Sequence, residues 1–131
     1  MKRLSVVCLF VRDYDDAIEF YAGKLGFTLV EDVAFGSQRW VTVRLPDDDM
    51  ATLTLTLAET AEDRALVGKQ GGSHPFFGIS TDDCVAEYRR LKSLGITLHG
   101  EPRVESFGTG VTLEDLYGNK IYLNQEADVG A

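Results

Sequence analysis

Histidine and cysteine, common ligands of transition metals, are scarce: two of each among 131 residues. The cysteines, Cys8 and Cys84, form no CxxC and share no Cys/His spacing, so reduced, partly buried thiols are expected. Basic residues are also few, 13 against 21 acidic ones, for a formal net charge of −8. Binding to nucleic acid needs a cationic surface, so that partner class is excluded. Long-range attraction would weakly favour cationic over anionic ligands. No apolar run approaches the roughly 20 residues that span a bilayer, and no membrane partner is expected. Met1-Lys2-Arg3-Leu4 leads into a strand with no small-residue cleavage site, so no signal peptide is expected and the cytoplasm is the default compartment. Missing too are a Ser/His/Asp arrangement, a phosphate-cradling glycine loop and a Cys/His pair, which leaves covalent catalysis without a candidate.

What remains is an ordinary globular composition, 44% hydrophobic and 26% charged, arranged with clear periodicity. Residues 4–11 are apolar at nearly every position and predict a covered strand, with Val7, Leu9 and Val11 on one face and Val6, Cys8 and Phe10 on the other. Asp13-Tyr14-Asp15-Asp16 caps a helix in which Ala17, Ile18, Tyr21 and Leu25 share a face and Gly26 is the stop. Strands follow at about 27–34 and 39–45, with a turn at Gly36-Ser37 between them. Residues 51–57 alternate threonine with leucine, a half-buried or cleft-lining strand. Residues 58–73 are polar and glycine-terminated and read as a linker, with a short helix near 61–67.

The opening order then recurs. A strand at 75–81 precedes a helix capped by Asp82-Asp83, with Val85, Tyr88, Leu91 and Leu94 on one face and Gly95 as its stop. A strand at 96–99, a turn at Glu101-Pro102, a strand at 110–115 and a closing strand at 120–124 complete the half. In the last, Ile121 and Leu123 face one way and Tyr122 the other. The chain therefore reads as α+β: one domain of two tandem βαβββ modules, about 3–57 and 74–125, joined by the linker at about 58–73. Each half alone buries too little surface for comfort, so the two are expected to form a curved, cleft-bearing mixed sheet.

This repeat resembles the vicinal oxygen chelate superfamily, which holds glyoxalase I, bleomycin-resistance proteins, fosfomycin-resistance transferases and extradiol dioxygenases. The resemblance also rests on Val11-Arg12-Asp13, Phe20-Tyr21, Leu25-Gly26-Phe27, Leu91, Gly95-Ile96, Glu101-Pro102 and Asp115-Leu116-Tyr117-Gly118-Asn119, and runs over about residues 4–124. The last of these is similar to the family's Asp-Pro-x-Gly-Asn turn, with Leu116 in place of proline. The resemblance implies paired modules about a cleft and commonly a homodimer. In metal-dependent members, His, Gln or Glu at four inward strand positions chelate a divalent ion. Here those positions fall at Val6, at or near Thr54 or Thr56, at Phe76 and at Tyr122. Valine and phenylalanine have no lone pair to donate, and neutral threonine and tyrosine are poor divalent ligands. The implied metal site is therefore expected to be absent, with no cofactor in its place. His74 and His99 read as solvated or strand-end histidines.

By strand parity the cleft would be lined by Val6, Cys8, Phe10, Trp40, Thr42, Thr54, Phe76 and Tyr122, with Glu114 as a further lining candidate, an apolar and aromatic surface with a few hydroxyls. A filled core is the plain alternative. Glu114, if inward, could act as a base; on the outer face it is a solvated carboxylate. The leading expectation is metal-free binding of a small organic molecule, partly aromatic and able to carry positive charge. The alternative is a glyoxalase-like lyase or isomerase with an unconventional site, either a metal held by residues such as His74, Glu101 and Glu114 or a Tyr122–Glu114 acid–base pair.

Overall fold

A computed structural model of the chain describes residues 1–49 and 51–127. The chain divides into two compact units, Met1–Val67 and Gly68–Ala131, each built on a four-stranded sheet.

The first unit contains β1 (Val6–Val11), α1 (Tyr14–Ile18), β2 (Thr28–Phe35), β3 (Gln38–Arg44), β4 (Thr52–Leu57) and α2 (Ala61–Leu66). Its strand order is β1-β4-β3-β2, with β1 parallel to β4 and the other pairs antiparallel. The Asp13 carboxylate accepts the Asp16 N–H at 2.8 Å, the capping role its position suggested. The expected helix to Leu25 forms only in part as an α-helix. After Ile18 the chain widens into a π-helical segment, Glu19–Lys24, closed by a 2.8 Å bond from the Leu25 N–H to the Phe20 carbonyl. The wider turn presents Tyr21, fully buried, edge-to-face with Phe20 and Phe27. Leu9, Val11, Val41, Val43, Leu53 and Leu55 complete this core, each buried side chain being worth about 1.5–3 kcal/mol. Ala58 and Val67, at either side of α2, are buried as well. A polar-looking stretch is thus anchored at both ends by small apolar residues.

The second unit contains β5 (Phe77–Ser80), α3 (Cys84–Ser93), β6 (Arg103–Glu105), β7 (Gly108–Glu114) and β8 (Lys120–Glu126). The order is β5-β8-β7-β6, with β5 parallel to β8. Its core is Ile79, Cys84, Leu91, Ile96, Val111, Leu113, Ile121 and Leu123. The strand expected at 96–99 is reduced to a single bridge, Leu98 to Leu113, and the edge strand is β6 instead. Gly100, at φ +79°, and Pro102, which lacks an N–H, redirect the chain before the ladder can extend. On α3 the buried residues are Cys84 and Leu91, whereas Val85 and Leu94 are about 40% exposed. Anchoring explains the rotation: the Cys84 N–H donates to Gln125 Oε1 at 2.9 Å and its thiol lies 3.9 Å from the Leu123 carbonyl.

The β7–β8 loop spans residues 115–119. Asp115 Oδ1 accepts the N–H groups of Tyr117 and Asn119 at 2.9 Å each, and Oδ2 accepts the Asn119 amide at 2.8 Å. Both side chains are buried, and Gly118 supplies the positive φ, +95°. Leu116 occupies a half-exposed position that makes no demand on φ beyond the ordinary.

Candidate functional site

The central strands of the first sheet, β3 and β4, are covered on both faces, whereas β2 is exposed along its whole length. On the first sheet, Leu9 and Val11 of β1 point into the core, so Val6, Cys8 and Phe10 fall on the opposite face. Register then assembles one cross-strand row: Cys8 pairs with Thr54, Thr54 with Thr42, and Thr42 with Glu31. Cys8 at one end of the row is exposed, Thr54 and Thr42 are almost fully covered, and Trp40, two residues before Thr42 on β3, is 42% exposed. The Trp40 indole N–H donates to Glu31 Oε1 at 3.4 Å, a long bond between partly exposed groups. Arg39 is engaged within the first unit. It donates to both oxygens of Asp32 at 3.0 and 2.7 Å, pairs with Asp15 at 3.0 Å, and lies 5.1 Å from the Tyr14 ring centre. The Arg39 hydrogen bond holds the Asp32 carboxyl below its ordinary value.

On the second sheet Tyr122 lies between Gly78 of β5 and Thr112 of β7. Its phenol leans along β7 onto Gly110: a Cβ on that glycine would fall 2.0 Å from the tyrosine oxygen. A glycine inside a strand often marks such a close approach, and this is the signal that could have revealed it. Leaning towards Gly110 carries Tyr122 away from Glu114, which lies beyond Thr112 on the same face of β7. The Tyr122–Glu114 acid–base pair is therefore not formed. Glu114 Oε2 instead meets His99 Nε2 at 2.5 Å, a contact made possible by the bridge that brings His99 beside β7. Phe76 is half-buried, its ring edge-to-face with Phe77 at 6.1 Å, and its N–H donates to the Lys120 carbonyl.

The parallel registers settle which threonine corresponds to Tyr122. Cys8 sits opposite Thr54 as Gly78 sits opposite Tyr122, so Thr54, not Thr56, is the counterpart. The resemblance implies ligand positions at Val6, at Thr54 or Thr56, at Phe76 and at Tyr122, and the strand register favours Thr54 for the second. A divalent ion does not fit this set, since two of the four have no donor atom and the other two are neutral hydroxyls. Among the described residues no group of three or more His, Cys, Asp or Glu is placed to hold one elsewhere. Nor is any helix among them long and apolar enough to cross a membrane.

Comparison with known proteins agrees with this architecture. Residues 3–123 match the model of the Glyoxalase/Bleomycin resistance protein/Dioxygenase superfamily. An uncharacterized protein of Shewanella frigidimarina is 39% identical over 115 residues, 86% of this chain and 85% of the relative. Among solved structures, UcmS2 superposes with a TM-score of 0.84 at 32% identity, covering 95% of this chain and 98% of that one. TnmS3, an antibiotic binding protein from Streptomyces sp. CB03234, superposes with a TM-score of 0.80 at 27% identity, covering 97% and 98%. The chain belongs to the glyoxalase/bleomycin resistance protein/dioxygenase superfamily.

Proposed function

We propose that this protein binds a small organic molecule, partly aromatic, without the help of a metal ion. The observation that carries the reading is the replacement of a donor set by Val6, Thr54, Phe76 and Tyr122, on sheet faces that also present Phe10 and Trp40. Such faces hold a planar ring by burial and stacking, and orient it with hydroxyls. The antibiotic-binding relative supports the same direction. The net charge of −8 favours a ligand that is neutral or cationic over an anion. Sequestration of this kind needs no turnover. Calorimetric titration with 9-aminoacridine, a planar cation, tests it. Saturable binding in the micromolar range is expected, and no heat at millimolar ligand would count decisively against the reading.

The exposed apolar residues of β2, Leu29, Val30, Val33 and Phe35, support self-association as a homodimer. Light scattering that returned a monomer mass at 100-fold the working concentration would contradict it.

A second reading rests on one contact, the His99–Glu114 pair. A carboxylate that orients an imidazole is a workable proton-transfer pair. Exchange of the α-proton of a hydroxyketone into D2O, lost in E114Q, would favour an enzyme; no exchange above the buffer rate would remove it.

A further inference from the structure

The central row of the first sheet holds two hydroxyls that no group among the described residues satisfies. Thr42 and Thr54 face each other across β3 and β4, 2% and 4% exposed, and among the described residues neither Oγ1 has a hydrogen-bond partner. Their neighbours on the same strand behave differently. Thr52 donates to the Ser5 carbonyl at 3.4 Å and Thr56 to the Thr54 carbonyl at 3.3 Å, as strand threonines usually do. Valine would fill the same space as Thr42 or Thr54 and carry no desolvation penalty, so two adjacent unpaired hydroxyls are an expensive choice for packing alone. Trp40 stands beside them. Its indole leans towards Glu31, the cross-strand partner of Thr42, and holds it only by the 3.4 Å bond between half-exposed groups.

Resting on the binding reading above, we propose that the Thr42–Thr54 pair is the polar anchor of that ligand. The pair takes a neutral oxygen, such as the hydroxyl of a planar phenol or naphthol, once Trp40 swings away from Glu31. Each threonine is both donor and acceptor, so one hydroxyl can donate a hydrogen bond to the ligand oxygen while the other accepts one from the ligand O–H. A neutral group is specified because both hydroxyls are uncharged and an anion would arrive against the protein's net charge. Stacking on Trp40 then positions the ring, and the anchor sets its edge.

The test is a matched pair of probes, 2-naphthol and 2-methylnaphthalene, which differ at the one group the anchor reads. Affinities are measured by ligand-observed NMR for the wild type, T42V, T54V and the double variant, with thermal melts of each unliganded protein. Each valine is expected to weaken 2-naphthol by about tenfold and leave 2-methylnaphthalene unchanged. Melting temperatures should hold or rise, because an unpaired buried hydroxyl has been removed. Unchanged 2-naphthol affinity in the double variant would overturn the anchor while leaving the binding reading intact. Lowered melting temperatures would overturn it too, by showing that the hydroxyls serve the fold. If the wild type binds neither probe while it binds 9-aminoacridine, the anchor fails alone; if it binds none of the three, the binding reading fails with it.

Discussion

Tyr122 and Gly110 act as one unit, because the phenol occupies the space a side chain on residue 110 would need. The substitution G110A forces the ring to move or the strands to part. It should destabilise the protein by about 1–2 kcal/mol, in the range of overpacking a well-filled site. In a Y122A background the same change should be nearly neutral. Chemical denaturation of the four proteins of that cycle measures the coupling, and additivity would show that the ring does not rest on Gly110. Tyr122 could be assigned to its face from strand parity alone. Its lean along that face could not, since parity fixes the side of a sheet and leaves the direction of a side chain within it open. For the same reason Glu114 was legible as an inward candidate while its partner, His99, was not: their contact depends on an isolated bridge formed after a helix stop.

At the scale of elements, the loop from 115 to 119 is held by one carboxylate that accepts three N–H donors. D115A removes the acceptor of all three, two of them on buried Asn119, and a loss of roughly 2–4 kcal/mol is expected. Urea denaturation monitored by the fluorescence of Trp40 reads it; a loss below 1 kcal/mol would mean that the turn is set by its backbone alone. Arg39 ties α1 to β2 through Asp15 and Asp32. Asp32 is depressed in the folded state by its hydrogen bond to Arg39. Its contribution is therefore present above the ordinary carboxylate pKa of about 3.9 and is lost as the pH falls through the lower folded value. R39A should thus be less stable than wild type at pH 7, with the gap closing below about pH 4 and shrinking in molar salt. A gap independent of pH would assign Arg39 a packing role.

The caps, both βα starts and the strand periodicities could be read directly, because each depends on residues a few positions apart. The π-helical segment at 19–24, the rotation of α3 onto Cys84 and Leu91, and the exchange of a strand at 96–99 for β6 could not. Each is decided by what the element packs against. Val85 and Leu94 look as apolar as Cys84 in isolation, and only Leu123 and Gln125 choose between them.

Across the whole molecule, the repeat and its closing turn identify the superfamily, while the side chains at the expected ligand positions point away from its metal chemistry. The two halves of that statement rest on different physics. The fold depends on periodicity, capping and the Asp115 turn, which tolerate Leu116 in place of proline. Metal binding depends on lone pairs at four positions, and no packing rearrangement makes a donor of Val6 or Phe76. The proposed binding by burial, stacking and hydroxyl contacts needs no metal ligand. Independence from metal is therefore the central claim, and the most direct measurement is the 9-aminoacridine titration repeated after exhaustive dialysis against EDTA and again after adding zinc, nickel or manganese. An affinity that stays the same in all of these states, with no stoichiometric metal retained, is the predicted result. Binding that disappears with EDTA and returns with one divalent ion would contradict it.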